Sequence, residues 1–247
     1  MISLRKLEGL PERNRARKLM SLLTEPCDPT FLAGLVRLAR QMIGESTGDS
    51  PLELSERDRK ILRQRLAIRW GIEVADWDLQ APADRSGPVT TFPFAVWLDD
   101  LRSPFNVGSV ARTAEAYGFE ALFSSLFTPP LDHPRAKRSA MGAADHLRAE
   151  TLSLGDLKAR WGDRPVFALE LGGTNVNEFQ FPGEGLVMLG GEELGLGPEA
   201  LDWADRSYGR VSLPLFGHKA SLNVGVAFGV LAAAWTSSHL ASVKIEG

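Results

Sequence analysis

The sequence predicts a small all-α region over residues 1–80, a linker over 81–93, and an α/β domain over 94–247 whose mainly parallel sheet carries helices on both faces. Three observations predict it. Apolar residues before residue 80 recur at helical spacing. Gln80 to Pro93 holds three prolines and a glycine and has no periodicity. From Phe94 onward, short apolar strands alternate with helical patterns, the texture of βαβ units.

The stretch from Leu4 to Leu23 places apolar residues at helical spacing among many arginines, and Phe31, Leu32, Leu35, Val36, Leu38 and Ala39 continue the pattern until Gly44. A third helix opens at Ser55, with Asp58 completing a capping box, runs along Ile61, Leu62, Leu66 and Ile68, and ends near Gly71. In the second region, strands are expected at Phe94–Leu98, Ala121–Ser125, Val166–Leu171, Gly185–Leu189 and Arg210–Leu213. Helices are expected at Phe105–Tyr117, Leu154–Trp161, Pro198–Ala204 and Ser221–His239.

Composition narrows the function classes. The single cysteine, Cys27, excludes an internal disulfide and any CxxC zinc site. His133, His146, His218 and His239 show no metal-ligand spacing, so no metal is expected. No apolar run is read as a membrane span and no signal core is read at the N-terminus, so a cytoplasmic location and no membrane partner are expected. The net charge of −3 is uneven: residues 1–70 carry +5 and the remainder −8. A basic end on an acidic body fits a polyanionic partner, and it fits equally a helical surface merely rich in arginine.

Three segments, each at the C-terminal end of an expected strand, carry candidate chemistry. In residues 98–118 a strand turns at Pro104 into a helix closed by Gly118; Asn106 and Arg112 lie within its first two turns, and Gly108 permits close approach of a backbone or ligand. Asn106 as a simple N-cap and Arg112 as a surface residue is the plainer reading. In residues 186–201 an apolar strand ends at Gly190-Gly191, followed by Glu192, Glu193, Gly195 and Gly197. Such a loop exposes backbone polar groups, yet it has neither the Lys-Ser/Thr pair of a P-loop nor the GxGxxG spacing, which excludes triphosphate and dinucleotide readings. A glycine-rich turn ahead of a helix begun by Pro198 explains it as well. In residues 211–235, Ser221, Leu222 and Asn223 open a helix lined with Gly225, Ala227, Gly229, Ala232 and Ala233. Small residues there fit ordinary close packing; an asparagine at the head of so apolar a helix must find polar partners.

Together the three segments resemble the SpoU (TrmH-type) family of the SPOUT class of RNA methyltransferases. Asn106, Gly108, Arg112 and Thr113 match its first motif; Gly190, Glu192 and Gly195 its second; Pro214, Gly217, Ser221, Leu222, Asn223 and Val224 its third. Arg138, Ser139, Gly142 and Ala143 match the texture between them, and the resemblance covers residues 94–240. It implies a C-terminal trefoil knot, a threading that no periodicity reveals. It implies S-adenosylmethionine held by Gly190, Leu169, Leu213, Leu222 and Asn223, with the loop after Glu170 closing nearby. It also implies a homodimer whose active site is completed across the interface, and an RNA substrate, tRNA or rRNA.

The implied reaction moves a methyl group to a ribose 2′-hydroxyl. Arginine stays protonated in proteins, so Arg112 would orient the hydroxyl and stabilise developing negative charge rather than act as a base. Asn106 would position Arg112 or the ribose, Asn223 would line the pocket, Glu192 would hold the site by hydrogen bonds and steady an arginine, and Ser221 would shape the loop. Gly191 and His218-Lys219 depart from the family pattern. A catalytically silent knotted RNA binder and a knot enzyme acting on a base are the alternatives. The helical region is expected to bind RNA through Arg13, Arg15, Arg17 and Lys18, or else to serve dimerisation or packing.

Overall fold

A computed structural model describes residues 2–45, 55–72 and 87–245. The chain divides into two compact units, Met1–Pro82 and Ala83–Gly247. Of the expected linker, residues 81–86 lie outside the described ones, and Phe92 and Pro93 belong to the first strand.

The first unit contains α1 (Leu4–Glu8), α2 (Glu12–Leu22), α3 (Pro29–Ile43) and α4 (Glu56–Arg69). The stretch from Leu4 to Leu23 is thus two helices, because Pro11 lacks an N–H and its ring blocks the preceding turn. Asp28 caps α3 by accepting from the amides of Thr30 (2.9 Å) and Phe31 (3.2 Å), and Gly44 closes it at φ +77°. The capping box of Ser55 and Asp58 forms at the head of α4. Leu7, Ala16, Leu19, Leu35, Ala39 and Leu66 are fully buried at the centre of the unit. Arg13 donates to the Gly71 carbonyl (3.0 Å), and Arg15 donates to the carbonyls of Glu8 and Leu10, closing the exit of α1. Both guanidinium groups therefore serve helix ends of their own unit.

The second unit runs β1 (Phe92–Asp99), α5 (Pro104–Ala116), β2 (Phe119–Ser124), α6 (Pro134–Ala140), β3 (Arg148–Thr151), α7 (Leu154–Trp161), β4 (Val166–Asn175), β5 (Gly185–Gly190), α8 (Pro198–Asp205), β6 (Arg210–Ser212) and α9 (Val224–Ile245). The six strands pair in the order β3-β2-β1-β5-β4-β6, every pair parallel. Phe94, Val96 and Leu98 face α5, α6 and α9, while Ala95 and Trp97 face α7 and α8. The alternation along β1 is the reason its run is apolar throughout: both of its sides are covered. The sequence reading did not include β3 or α6. The edge strand β3 exposes charged residues and α6 is a short basic turn of helix, so neither shows an apolar pattern.

Trp235 of α9 anchors one face of the sheet. Its ring stacks on Phe94 at 4.0 Å and meets Phe167 at 4.8 Å, and its indole N–H donates to the Pro182 carbonyl (2.8 Å). Val224–Val243 has mean hydropathy 1.4 and is long and apolar enough to cross a membrane, which the reading of the sequence overlooked. Phe228, Leu231, Ala232 and Trp235 account for that hydropathy on one side, being fully buried against the sheet. On the other side Val226, Val230, Leu240 and Val243 are exposed.

Close approach of α5 and α6 depends on Gly108, at which a Cβ would stand 2.0 Å from the Ser139 hydroxyl and 2.1 Å from the Ala136 carbonyl oxygen. The neighbour that exploits this glycine is therefore α6. Replacing Gly108 by alanine forces the helices apart, and we expect a loss of about 1–3 kcal/mol, read as a lower midpoint in urea denaturation.

Candidate active site

Strand order reverses between β1 and β5: the chain proceeds from β1 outward to β2 and β3, then returns on the other side through β4 and β5. The turn after β1 enters α5 on one face, and the loop after β5 enters α8 on the other. Diverging connections leave a crevice at the carboxyl ends of the two strands.

Three side chains from distant segments meet in it. Asn106, in the first turn of α5, is 5% exposed. Its amide nitrogen donates to Glu192 Oε1 (2.5 Å), and its carbonyl oxygen accepts from the Asn223 amide (3.0 Å). Ser103, not Asn106, caps α5, accepting from the Asn106 amide at 3.4 Å. Asn223 also caps α9, its oxygen accepting from the amides of Gly225 (2.9 Å) and Val226 (3.4 Å). The helix thus begins at Val224 rather than Ser221, and Ser221 and Leu222 lie in the exposed approach to it. The second oxygen of Glu192 accepts from the Arg102 amide (3.3 Å), and Glu193 pairs with the Arg102 guanidinium (2.6 Å). The arginine held by this loop is therefore Arg102, a residue marked in the sequence only by its place just before Ser103.

Burial works to raise the pKa of Glu192, but the hydrogen bonds from Asn106, from its own amide and from the Arg102 amide, with the Arg102 charge, outweigh it and hold the carboxyl below its ordinary value of 4.5. The group is ionised at neutral pH.

Glycines shape the loop that carries it. At Gly190 a Cβ would lie 2.1 Å from the carbonyl carbon of Gly195, because the loop folds back through a bridge between Gly191 and Gly195. Gly195 itself sits at φ +68°. Across the cleft, β4 leaves its register with β6 between Leu169 and Thr174, so that residues 170–173 bulge outward. Glu170 in that bulge accepts from the Leu196 amide (3.4 Å) and joins the two rims.

The resulting cleft, about 690 Å³, is lined by Leu169, Glu170, Leu189, Gly190, Glu192, Leu213, Ser221, Leu222 and Asn223 among others. That volume lies within the roughly 300–1,000 Å³ of small-molecule sites. Every residue expected to hold a cofactor is on its wall. Arg112 is not. Its side chain is exposed and donates to Met141 Sδ (2.9 Å), and among the described residues no hydrogen bond or ion pair joins it to the Asn106 network, although both residues lie on α5. Met141 follows α6 in the left-handed region at φ +49°, a position no sequence pattern marked.

An all-parallel α/β sheet with an apolar, carboxylate-edged cleft at its switch point is the arrangement of a ligand-binding α/β domain. The SpoU rRNA Methylase family model matches residues 93–233, and the chain belongs to that family. It is 29% identical over 141 residues to the 23S rRNA (guanosine-2′-O-)-methyltransferase RlmB of Acinetobacter baylyi, covering 54% of this chain and 55% of that protein. The SpoU methyltransferase AviRb from Streptomyces viridochromogenes superposes with a TM-score of 0.56 at 26% identity, covering 63% of each chain. An AdoMet-bound rRNA methyltransferase from Sinorhizobium meliloti shares the fold, with a TM-score of 0.54 at 24% identity over 60% of this chain and 59% of that one. The chain spans about half the length of RlmB and under two thirds of AviRb.

Glu192→Gln keeps an acceptor for Asn106 but loses the one facing the Arg102 amide, so it should destabilise the second unit by about 1 kcal/mol at neutral pH. Because folding lowers this pKa, the carboxylate stabilises the fold above 4.5 and ceases to as pH falls through the lowered value. Thermal melts of wild type and variant should therefore differ at neutral pH and converge in acid.

Proposed function

We propose that this protein is an S-adenosylmethionine-dependent methyltransferase acting on a ribose 2′-hydroxyl of tRNA or rRNA. The carrying observation is the junction of Asn106, Glu192 and Asn223 at the mouth of a cleft in a SpoU-family domain. The cleft suits the cofactor. Leu169, Leu189, Leu213 and Leu222 offer apolar surface to an adenine, the glycine loop offers backbone groups, and Glu170, Glu192 and Glu193 offer negative charge to a cationic ligand. Bound there, S-adenosylmethionine supplies a methyl group on a positively charged sulfur.

The residues of the chain do the rest. Asn106, locked by Glu192 and Asn223, presents a fixed polar edge to the ribose. Arg112 remains protonated, orients the 2′-hydroxyl and stabilises the charge that develops as its proton departs, with an RNA phosphate as the acceptor. Since Arg112 is absent from the wall of its own cleft, we assign it to the cleft of a partner in a homodimer. The exposed apolar side of α9, with Val226 and Val230 near the cleft end, is the surface that such a partner would cover. A trefoil knot, a metal-free reaction and a cytoplasmic setting belong to the same reading. In the helical unit, Arg17 and Lys18 are the exposed cations of α2 left for RNA, since Arg13 and Arg15 hold helix ends.

The test is methyl transfer from labelled S-adenosylmethionine to unmodified bulk RNA, followed by nucleoside analysis. Wild type should yield a 2′-O-methylated nucleoside and Arg112→Ala none, with cofactor affinity retained. A methylated base would move the chemistry off the ribose; RNA binding without product would favour a silent binder. Mixed Arg112→Ala and Glu192→Ala protomers should regain activity in heterodimers, and no recovery would place Arg112 at its own chain's site. Separately, replacing Arg17 and Lys18 by alanine should flatten the salt dependence of RNA binding by about one to two in slope; an unchanged slope would remove the helical unit from RNA recognition.

A further inference from the structure

The loop between β2 and α6 combines a rigid base with an exposed aromatic tip. Thr128 and Ser125 are buried with their hydroxyl oxygens 3.0 Å apart, and the Thr128 amide donates to the Ser125 carbonyl (3.2 Å). Thr128 accepts from the Leu101 amide (3.1 Å) and donates to the Leu98 carbonyl (3.1 Å). Ser125 donates to Asp100 (2.6 Å) and accepts from its amide (3.0 Å). The loop is thereby fastened to the turn that delivers Asn106, and Pro129 and Pro130 stiffen its exit. Yet Phe127, between the two anchors, is 84% exposed, and Leu126 is 65% exposed. A loop held this firmly could have turned its aromatic ring inward; it holds the ring in water instead.

Beside it, α6 presents Arg135, Lys137 and Arg138, all exposed and without an ion pair among the described residues. This concentrates positive charge in a half of the chain that is otherwise acidic. The helix ends at Met141, whose sulfur receives Arg112, so the basic helix and the proposed transfer residue share one surface. Both loops leave the carboxyl ends of parallel strands: Phe127 follows β2 and Glu192 follows β5, and those strands lie two strand spacings, about 10 Å, apart across β1.

We propose that Phe127 is a base-stacking residue for the RNA substrate: it holds a nucleotide adjacent to the one being methylated while α6 holds the neighbouring phosphates. A ribose in a paired, stacked strand is poorly presented to a cleft. Single-stranded RNA is ordinarily gripped by aromatic faces next to cationic side chains, which take any base by its π-face and the backbone by its charge. The inference rests on the RNA-methyltransferase reading and adds to it the residue that orders the strand at the site.

The experiment compares wild type with Phe127→Ala and Phe127→Trp, measuring binding of a short fluorescein-labelled RNA of mixed sequence and methyl transfer to bulk RNA. Phe127→Ala should weaken RNA binding and raise KM for RNA about tenfold, with a smaller change in kcat and unchanged affinity for S-adenosylmethionine; Phe127→Trp should restore both. Melting temperature should not move, because the ring packs on little. Lys137→Ala with Arg138→Ala should reduce the salt slope of binding, which Phe127→Ala leaves intact. Equal RNA affinity and KM in wild type and Phe127→Ala would overturn this inference alone, as would a change in oligomeric state at unchanged RNA affinity, which would make the face a protein contact. A wild type that binds no RNA would overturn this inference and the function on which it rests.

Discussion

The buried amide of Asn106 has one donor edge and one acceptor edge, and each is taken by a residue from another part of the chain. A primary amide in such a place cannot be left half-satisfied without a cost of about 1–3 kcal/mol. Asn106 therefore fixes both the loop after β5, through Glu192, and the start of α9, through Asn223. The cleft wall is built from those two segments, the bulge in β4 and the leucines Leu213 and Leu215 that follow β6. Glu192 in turn is kept charged by the donors around it, so the site's electrostatics follow from the same contact.

Close backbone approach is the second constraint. The loop after β5 folds back so tightly that a methyl group at Gly190 would overlap the carbonyl of Gly195, and Gly195 needs a backbone conformation that other residues seldom adopt. The side chains that would otherwise fill the crevice are missing by necessity. What remains facing the cleft is backbone, leucine and carboxylate, with Ser221 and Asn223 as its neutral polar side chains, an apolar wall carrying a few polar groups.

Much of this was legible in the sequence, for stated reasons. Strands covered on both faces read as unbroken apolar runs, so β1 and β5 were plain, and the capping box of Ser55 and Asp58 announced α4. Residues 190, 192 and 223 were flagged by residue type, since glycines beside a carboxylate and an asparagine heading an apolar helix ask for an explanation. Edge strand β3 and basic α6 were not seen, because they bury too little to leave a periodic pattern. Two details escaped because they depend on where helices cross: Arg112 points away from Asn106 despite sharing α5, and Arg13 and Arg15, read as free cations, close helix ends. The hydrophobic run of α9 was underestimated because glycines and alanines dilute it to the eye while Trp235 and Phe228 bury it in fact.

The span between Asn106 and Asn223 has a consequence for biosynthesis. Their hydrogen bond closes a loop of 117 residues, and α9 is made after every strand of the sheet. At ribosomal rates this leaves roughly 6–23 s during which Asn106 has been synthesised and its partner has not. Throughout that interval the sheet has no α9 over Phe94 and Phe167, and the amide must be served by water. The nascent chain can thus assemble its first unit and the early strands, but the binding cleft can close only after the C-terminal segment clears the exit tunnel. Closure of the cleft thus waits on α9, and a message truncated before that helix would yield a chain with all six strands of the sheet and an amide at Asn106 without its Asn223 partner.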